Sequence, residues 1–341
     1  MGQLGFWDEQ KRQEYLEQKH NLLVQLNRLV PWEEFRPLLE QVHQKERKSN
    51  AGRKPIDPVQ MFKLLILQKL YNISDEQLEY QVNDRLSFMG FLGLGIEDKV
   101  PDATTVWLFR QRLVELGLVE QLFEQFDEYL RGHGYQAEEG QVMDATLVPA
   151  PKQHNTKEEN EQLKQGEIPE AWKQKPHKLS QKDTDARWTK KNNQSHFGYK
   201  NHVSMDVKHG LVRCYEVTDA SVHDSQTLPH LLDGHNTGDE VWADSTYQSQ
   251  EAERILGLIG FESHIHERTY RHRPLSQEQK QQNRERSRTR AKVEHIFGAW
   301  VNSMGGKLVR AIGQARVKAH IGLKNLAYNL RRYVFLQTQC A

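Results

Sequence analysis

Apolar residues follow two different rhythms along this chain. Up to about residue 131 they recur every three or four positions, the spacing of one helix face. Residues 1–50 are polar with scattered Leu, Val and Trp, and Leu23, Leu26, Leu29 and Val30 share a helical stripe. The basic stretch RKSNAGRKP at 47–55, punctuated by Gly and Pro, reads as a joint. Asp57 before Pro58 supplies an N-cap with proline in the first turn, and Met61, Leu64, Leu65, Leu67 and Leu70 line the helix that follows. Ser74 caps a second helix carrying Leu78 and Val82. Asp102 or Thr104 caps a third, in which Trp107, Leu108, Leu113 and Leu116 are expected to pack. Short helices with tight joints suit a helix-turn-helix DNA reader or a plain bundle.

After Gly140 the period shortens to two. QVMDATLV alternates as a strand, with Asp144 in its middle. Residues 151–197 are polar and lysine-rich, with too few apolar residues to be expected to build a core of their own. HFGYKNHVSMDV and LVRCYEVTD form two strands joined at Lys208-His209-Gly210, and HDSQTLPHLL is helical. DEVWADS is a short apolar strand ending at Asp244. SQEAERILGLIG is an amphipathic helix closed by Gly260, and 261–264 offers a further strand. RERSRTRAKVEHIFGAW reads as one helix with Val293, Phe297 and Trp300 on a face. Val309, Ile312, Ile321, Leu323, Leu326 and Leu330 mark core faces of basic C-terminal helices. This order is compatible with a mixed α/β sheet behind an all-α N-terminal region. The expected divisions are 1–50 (helical), 51–135 (helical, DNA-binding) and 136–341 (α/β, with the insertion at 151–197).

No apolar run approaches the ~20 residues of a membrane span, and MGQLGFWDEQKRQ lacks the apolar core of an export signal. Cys214 and Cys340, far apart, make neither a zinc pair nor a disulfide framework. The expectation is a cytoplasmic protein. Net charge is only +1, but it is segregated: residues 1–140 carry −6, 141–263 carry −5, and 264–341 hold 16 Lys+Arg against 4 Asp+Glu, net +12. A basic segment of this kind suits a polyanion partner.

Three acids stand out by position. Asp144 lies within an apolar strand, where a lone charge is costly. Asp244 ends another strand, where sites gather in open α/β sheets. Glu294 is the one acid of RTRAKVEHIFGAW, four residues after Arg290 and so within reach of a helical salt bridge. Singly, each is as readily a cap or a salt-bridge partner. Together, beside a basic tail, they suggest oxygen ligands for Mg²⁺.

MDATLV, HFGYKNHVSMDVKHGLVRCYEVTDASVHDS, ADSTYQS and RTRAKVEHIFG, in this order, resemble the DDE transposases of bacterial insertion sequences, specifically the insertion sequence 5 family. The likeness spans roughly residues 50–330, and segment 57–120 resembles the N-terminal domain common in that group. The resemblance implies a ribonuclease H-like catalytic domain whose triad falls on Asp144, Asp244 and Glu294, separated by 100 and 50 residues. It implies Mg²⁺, with Mn²⁺ as a substitute, and double-stranded DNA, both element ends and target, as partner. Metal-assisted hydrolysis frees a 3′-OH, which attacks target DNA directly, so no serine or tyrosine nucleophile is needed. A homodimer in the synaptic complex and a place at the bacterial nucleoid follow from the same likeness. The family signature sets a Tyr, an Arg and a Lys around the glutamate. Here those positions hold Ser287, Arg290 and Val301, so only the arginine matches, and Lys292 and Lys307 stand as replacements for the lysine. Arg288, Arg290, Lys292, Lys307, Lys190, Lys191 and Lys200 are the expected DNA contacts. The rival classes are a non-catalytic DNA-binding relative and a stand-alone metal-dependent nuclease.

Other residues rank lower. Asp224 is expected to cap the helix after it, and Asp206 to be structural or solvated. Asp185 would order the insertion near DNA. His264, His266 and His272 suit phosphate better than zinc. Trp188 and Tyr199 either stack on unpaired bases or pack beneath the insertion.

Overall fold

The computed structural model describes residues 8–19, 21–44, 55–191, 193–270 and 273–339. In chain order the first helices are α1 (Asp8–Glu17), α2 (Leu22–Leu29), α3 (Arg36–Leu39), α4 (Pro58–Tyr71), α5 (Asp75–Asp84), α6 (Leu86–Leu92), α7 (Ala103–Glu115) and α8 (Leu118–Gly132). Strand β1 (Gln141–Pro149) follows, then α9 (Lys157–Lys164), α10 (Glu170–Lys173), α11 (Pro176–Ser180), β2 (Arg187–Lys191), β3 (Gln194–Asp206) and β4 (Val212–Asp219). The chain continues with α12 (Leu228–Leu231), β5 (Glu240–Ala243), α13 (Gln250–Ile259), β6 (Glu262–Ile265), α14 (Gln277–Arg290), α15 (Glu294–Asn302) and α16 (Gln314–Gln339). Most of the expected joint, 47–54, lies outside the described residues, as does His272. No helix among the described residues is long and apolar enough to cross a membrane. Two compact units result, Met1–Phe126 with Leu323–Ala341, and Asp127–Gly322.

In the first unit, α4 is buried almost all round, from Pro58 and Val59 through Leu70, as a helix apolar on every side must be. Asp57 caps it, accepting hydrogen bonds from the backbone N–H groups of Val59 and Gln60 at 2.8 and 3.1 Å. Its Phe62 meets Trp32 and Phe35, and Trp32 in turn meets Phe91, with ring centroids 5.1–6.0 Å apart in these pairs. One polar knot crosses this core: Arg110 grips Asp75 with both terminal nitrogens, at 2.8 and 2.6 Å, and Gln68 donates to the same carboxylate at 2.6 Å. In α7 the packing residues are Val106, Phe109, Arg110 and Leu113. The expected contribution of Trp107 and Leu108 fails, because they lie on the solvent face, 43 % and 55 % exposed.

The second unit is built on a mixed sheet ordered β2-β3-β1-β5-β6, with β4 on the far edge of β3. β1 and β3 are antiparallel, as are β3 and β4, whereas β1–β5 and β5–β6 are parallel. Gly140, which leads into β1, has φ +78°, and a Cβ there would lie 2.5 Å from the Glu240 carbonyl. Only glycine allows that approach between β1 and β5. Side chains alternate across the sheet. Met143 and Ala243 join Leu228, Leu231, Tyr247, Leu256 and Ile265 in a core beneath α12 and α13. Residues 142, 144 and 146 therefore face the other way, toward the α14–α15 side.

Two expectations change here. The segment after β1 does form a small core. Trp172 is fully buried, its indole N–H donates to Glu159 at 2.6 Å, and Lys178 and Lys182 lie 5.5 and 4.9 Å from its ring centre. One tryptophan covered by lysine stems does the work expected of several aliphatic residues. The helix expected through 284–300 is also interrupted, by a 3-10 turn at Ala291–Val293 that drives Val293 fully inside.

Candidate active site

Met143 and Ala243 are paired on adjacent parallel strands. Asp144 and Asp244 are each one residue beyond that pair, so they emerge side by side where β5 ends. Both backbones are extended there, and both acids point away from the Met143–Ala243 core. Asp144 is 17 % exposed at its side chain. Its Oδ1 accepts from the Ala145 N–H at 2.8 Å, and its Oδ2 accepts from Arg290 Nη1 at 2.8 Å. Asp244 caps the short turn Ser245–Tyr247 through the Ser245 N–H at 2.6 Å. The interruption at 291–293 leaves Arg290 closing α14 and Glu294 opening α15. Arg290 Nη2 lies 3.8 Å from Glu294 Oε1, and Glu294 is 60 % exposed. The arginine's closer partner is thus Asp144, 146 residues away in sequence, which no spacing argument could find.

Burial holds the Asp144 carboxyl up at about 6. Arg290 and the Ala145 N–H oppose this, and the charges of Glu294 and Asp244 add to it. Asp144 therefore lies in the field of both other acids. Burial and then Arg290 depress the His266 imidazole, while Asp244 pulls it the other way, which puts His266 at the same locus. Among the described residues no three acidic, histidine or cysteine side chains converge tightly enough to share an ion. The donor chemistry nevertheless fits a hard divalent cation: the set is carboxylate oxygen throughout, and a cationic guanidinium already lies against it.

The expected DNA-binding cations fall in different places. Arg288 is exposed on the last turn of α14, and Lys292, also exposed, reaches the Val207 carbonyl at 3.3 Å. Lys307 Nζ donates to Thr146 Oγ1 at 2.6 Å, on the same face of β1 as Asp144. Burial lowers the pKa of that ammonium, with Glu294 and Asp144 pulling upward and Lys191 adding to the depression. Lys190 and Lys191 are exposed at the end of β2. Lys200 is different. It pairs with Leu147 in the sheet, on the face opposite Asp144, and its ammonium is held by the Val222 carbonyl at 2.6 Å and Asp224 at 2.8 Å. As placed, it braces the fold and does not offer its charge to a phosphate on the Asp144 face.

Several lower-ranked residues are structural. The cap of the turn at Asp224–Gln226 is His223, whose Nδ1 accepts from the Ser225 N–H, so the cap expected at Asp224 is one residue off. Asp206 is fully buried and bonded to the His209 and Leu211 N–H groups and to Arg213. Asp185 accepts from the Gln314 N–H at 2.7 Å, at the start of α16. Tyr199 is buried and donates its hydroxyl to Asp183 at 2.7 Å, whereas Trp188 is 41 % exposed beside Phe197. His264 stacks on Trp242 and lies 3.3 Å from Glu262. Thr146 was not singled out from sequence. Its place two residues along the strand from Asp144 was the available signal.

The family profile described as Transposase DDE domain matches residues 135–330, and that described as Transposase domain (DUF772) matches residues 10–112. Among solved structures, a piggyBac transposase synaptic complex with hairpin DNA is similar at a TM-score of 0.44 and 11 % identity, over 95 % of this chain and 76 % of that one. The mixed sheet flanked by helices fits the ribonuclease H-like fold of a DDE domain. With more than half its length matched by one catalytic-domain family, this chain belongs to the DDE transposases.

Proposed function

We propose that this transposase serves an insertion sequence of the insertion sequence 5 group, cutting DNA at the element ends and joining the freed 3′-OH ends to target DNA by transesterification. Asp144, Asp244 and Glu294 are its catalytic acids. The observation that carries this reading is the emergence of Asp144 and Asp244 from neighbouring parallel strands on one sheet face, with Glu294 in the same electrostatic field. These carboxylates are the residues that would hold Mg²⁺ or Mn²⁺. Such an ion, when bound, supplies Lewis-acid stabilisation of phosphoryl charge and lowers the pKa of water.

The rest of the reaction's needs fall to the chain itself. Lys307 and Arg290 bring two cationic donors to the Asp144 face, where they can hold the non-bridging oxygens of a phosphodiester. Arg288, Lys292, Lys190 and Lys191 extend that basic surface and position the duplex without reading its sequence. The helical segment 51–135, after an N-terminal piece at 1–50, is assigned to end recognition, and 136–341 to catalysis. Two copies are needed to hold two ends, so the working form is a homodimer.

The test is a cleavage and strand-transfer assay on DNA carrying the element's own ends, with Mg²⁺ and with EDTA, for the wild type and Glu294→Gln. The expected result is metal-dependent cutting and joining, lost in the variant while end binding persists. Binding without cutting in any metal would return Glu294 to a salt-bridge role and favour a non-catalytic protein. Cutting without joining would indicate a nuclease.

A further inference from the structure

We infer that Arg290 and the divalent cation compete for Asp144, so that metal loading moves the guanidinium off the carboxylate and makes it available to a DNA phosphate. The inference rests on the proposed reading of Asp144, Asp244 and Glu294 as the ion's ligands.

The two oxygens of Asp144 have different partners. Oδ1 is turned to the Ala145 N–H, and Oδ2 is the acceptor for Arg290 Nη1 at 2.8 Å. A dication bonded to Oδ2 would stand at contact distance from a guanidinium on the same atom, in a partly desolvated site where like charges repel strongly. The guanidinium also spans toward Glu294, at 3.8 Å, so it occupies the gap between two of the three acids. Charge balance points the same way. Three carboxylates with Arg290 and Lys307 sum to −1. Adding a dication while both cations stay gives +1, and withdrawing one of them restores neutrality.

Lys307 is the less mobile choice, because its ammonium is tied to the Thr146 hydroxyl at 2.6 Å and not to a ligand oxygen. Arg290 ends a helix immediately before an irregular turn, beside the exposed Arg288. Its long arm reaches outward from there without unfolding any element, and a released guanidinium is a fork-shaped phosphate donor. Metal and DNA binding would then be positively coupled, and the coupling must be reciprocal.

The experiment titrates the full chain, free of DNA, with Mn²⁺ in a calorimeter, using wild type, Arg290→Met, Arg290→Lys and Asp144→Asn. Removing the competitor deletes a charge-assisted hydrogen bond, so Arg290→Met is expected to bind Mn²⁺ about 10–100-fold more tightly. Arg290→Lys, which keeps charge but lacks the fork, should fall between it and wild type and guards against a misfolded methionine variant. Asp144→Asn should lose binding. In parallel, Ca²⁺ should tighten wild-type binding to a labelled duplex relative to EDTA, and should do so far less for Arg290→Met. Equal or weaker Mn²⁺ affinity in both Arg290 variants, with Asp144→Asn defective, would overturn the inference and leave the metal site standing. Absence of Mn²⁺ binding in every protein would overturn both.

Discussion

Arg213 is 1 % exposed at its side chain and lies at the centre of a buried ionic chain in the second unit. Its Nε donates to Asp206 at 3.1 Å, Nη1 to Asp127 at 2.6 Å and Nη2 to the Tyr135 carbonyl at 2.7 Å. Asp127 continues to Arg131 at 2.6 Å, and Arg131 to Asp233 at 3.2 Å. Replacing Arg213 with Met keeps much of the volume and removes the charge. Asp127 retains Arg131, but Asp206, 0 % exposed, keeps only two backbone N–H groups. Deleting one partner of a buried pair typically costs about 3–5 kcal/mol. A second route to the magnitude agrees: a stranded Asp206 can escape by taking a proton, which from an ordinary value near 3.9 costs about 4 kcal/mol at pH 7 and about 1.5 at pH 5. Burial already pushes this carboxyl up, against Arg213 and the backbone donors, and losing Arg213 pushes it further. The native variant then holds a proton that its unfolded chain has released. Its stability accordingly falls as pH rises from about 4 toward the folded value and recovers on acidification. Cys214, next in sequence, is a convenient reporter because burial pushes its thiol to about 12. In a Cys340→Ser background, labelling by a pyridyl disulfide should be about two to four orders of magnitude faster in Arg213→Met than in the parent at pH 7. The ratio should shrink by at least tenfold at pH 5. A ratio under about five at pH 7, or one that does not change with pH, would refute the reasoning.

Three further outcomes follow from the structure. Asp75→Ala strands the nearly buried guanidinium of Arg110 and should cost the first unit about 3–5 kcal/mol in urea unfolding, whereas Asp75→Leu with Arg110→Met should recover most of the loss. Asp75 is held below its ordinary range by Arg110 and Gln68 against burial, so the wild-type pair's contribution is present at neutral pH and lost on acidification below about 4; a pH-independent Asp75→Ala deficit would contradict it. Trp172→Ala removes the one large side chain at the centre of the insertion and should loosen α9 to α11 while leaving β1, β3 and β4 protected in hydrogen exchange; uniform loss of protection would show that the insertion is not a separate packing unit. Arg288→Ala should weaken duplex binding and lower the salt slope by about one, whereas Lys200→Met should lower the melting temperature with the slope intact; a reduced slope in Lys200→Met would restore its phosphate role.

What could be read in the sequence was local. The caps at Asp57 and Ser74, the glycine closing α13 and the hairpin at Lys208–Gly210 depend on a few adjacent residues, and they form as expected. Asp144 and Asp244 could be singled out because a charge in an apolar strand is a local anomaly. Strand β2 could not: RWTKK is mostly polar and exposed, and it is a strand only because the N-terminal end of β3 extends to meet it. The sheet face that Lys200 occupies was hidden for a related reason. Strand alternation fixes which residues share a face, but only the pairing with Leu147 says which face that is. In α7, Trp107 and Leu108 fit a helical stripe as well as Val106 and Phe109 do, and the choice was made by the neighbours and not by the period. Arg290 shows the same limit, since its helical partner was visible and its closer partner on β1 was not.

The parallel pairing of β1 with β5 has a consequence for how the protein is made. Asp144 leaves the ribosome 100 residues ahead of Asp244 and 150 ahead of Glu294. At synthesis rates of about 5–20 residues per second, that interval lasts roughly 8–30 s. The antiparallel strands β1, β3 and β4 can assemble during it, whereas β5, which lies between β1 and β6, is made later. A nascent or prematurely terminated chain therefore displays one acid on an incomplete sheet. Sequence separation itself acts as a timer that keeps the three carboxylates apart until Glu294 has been made.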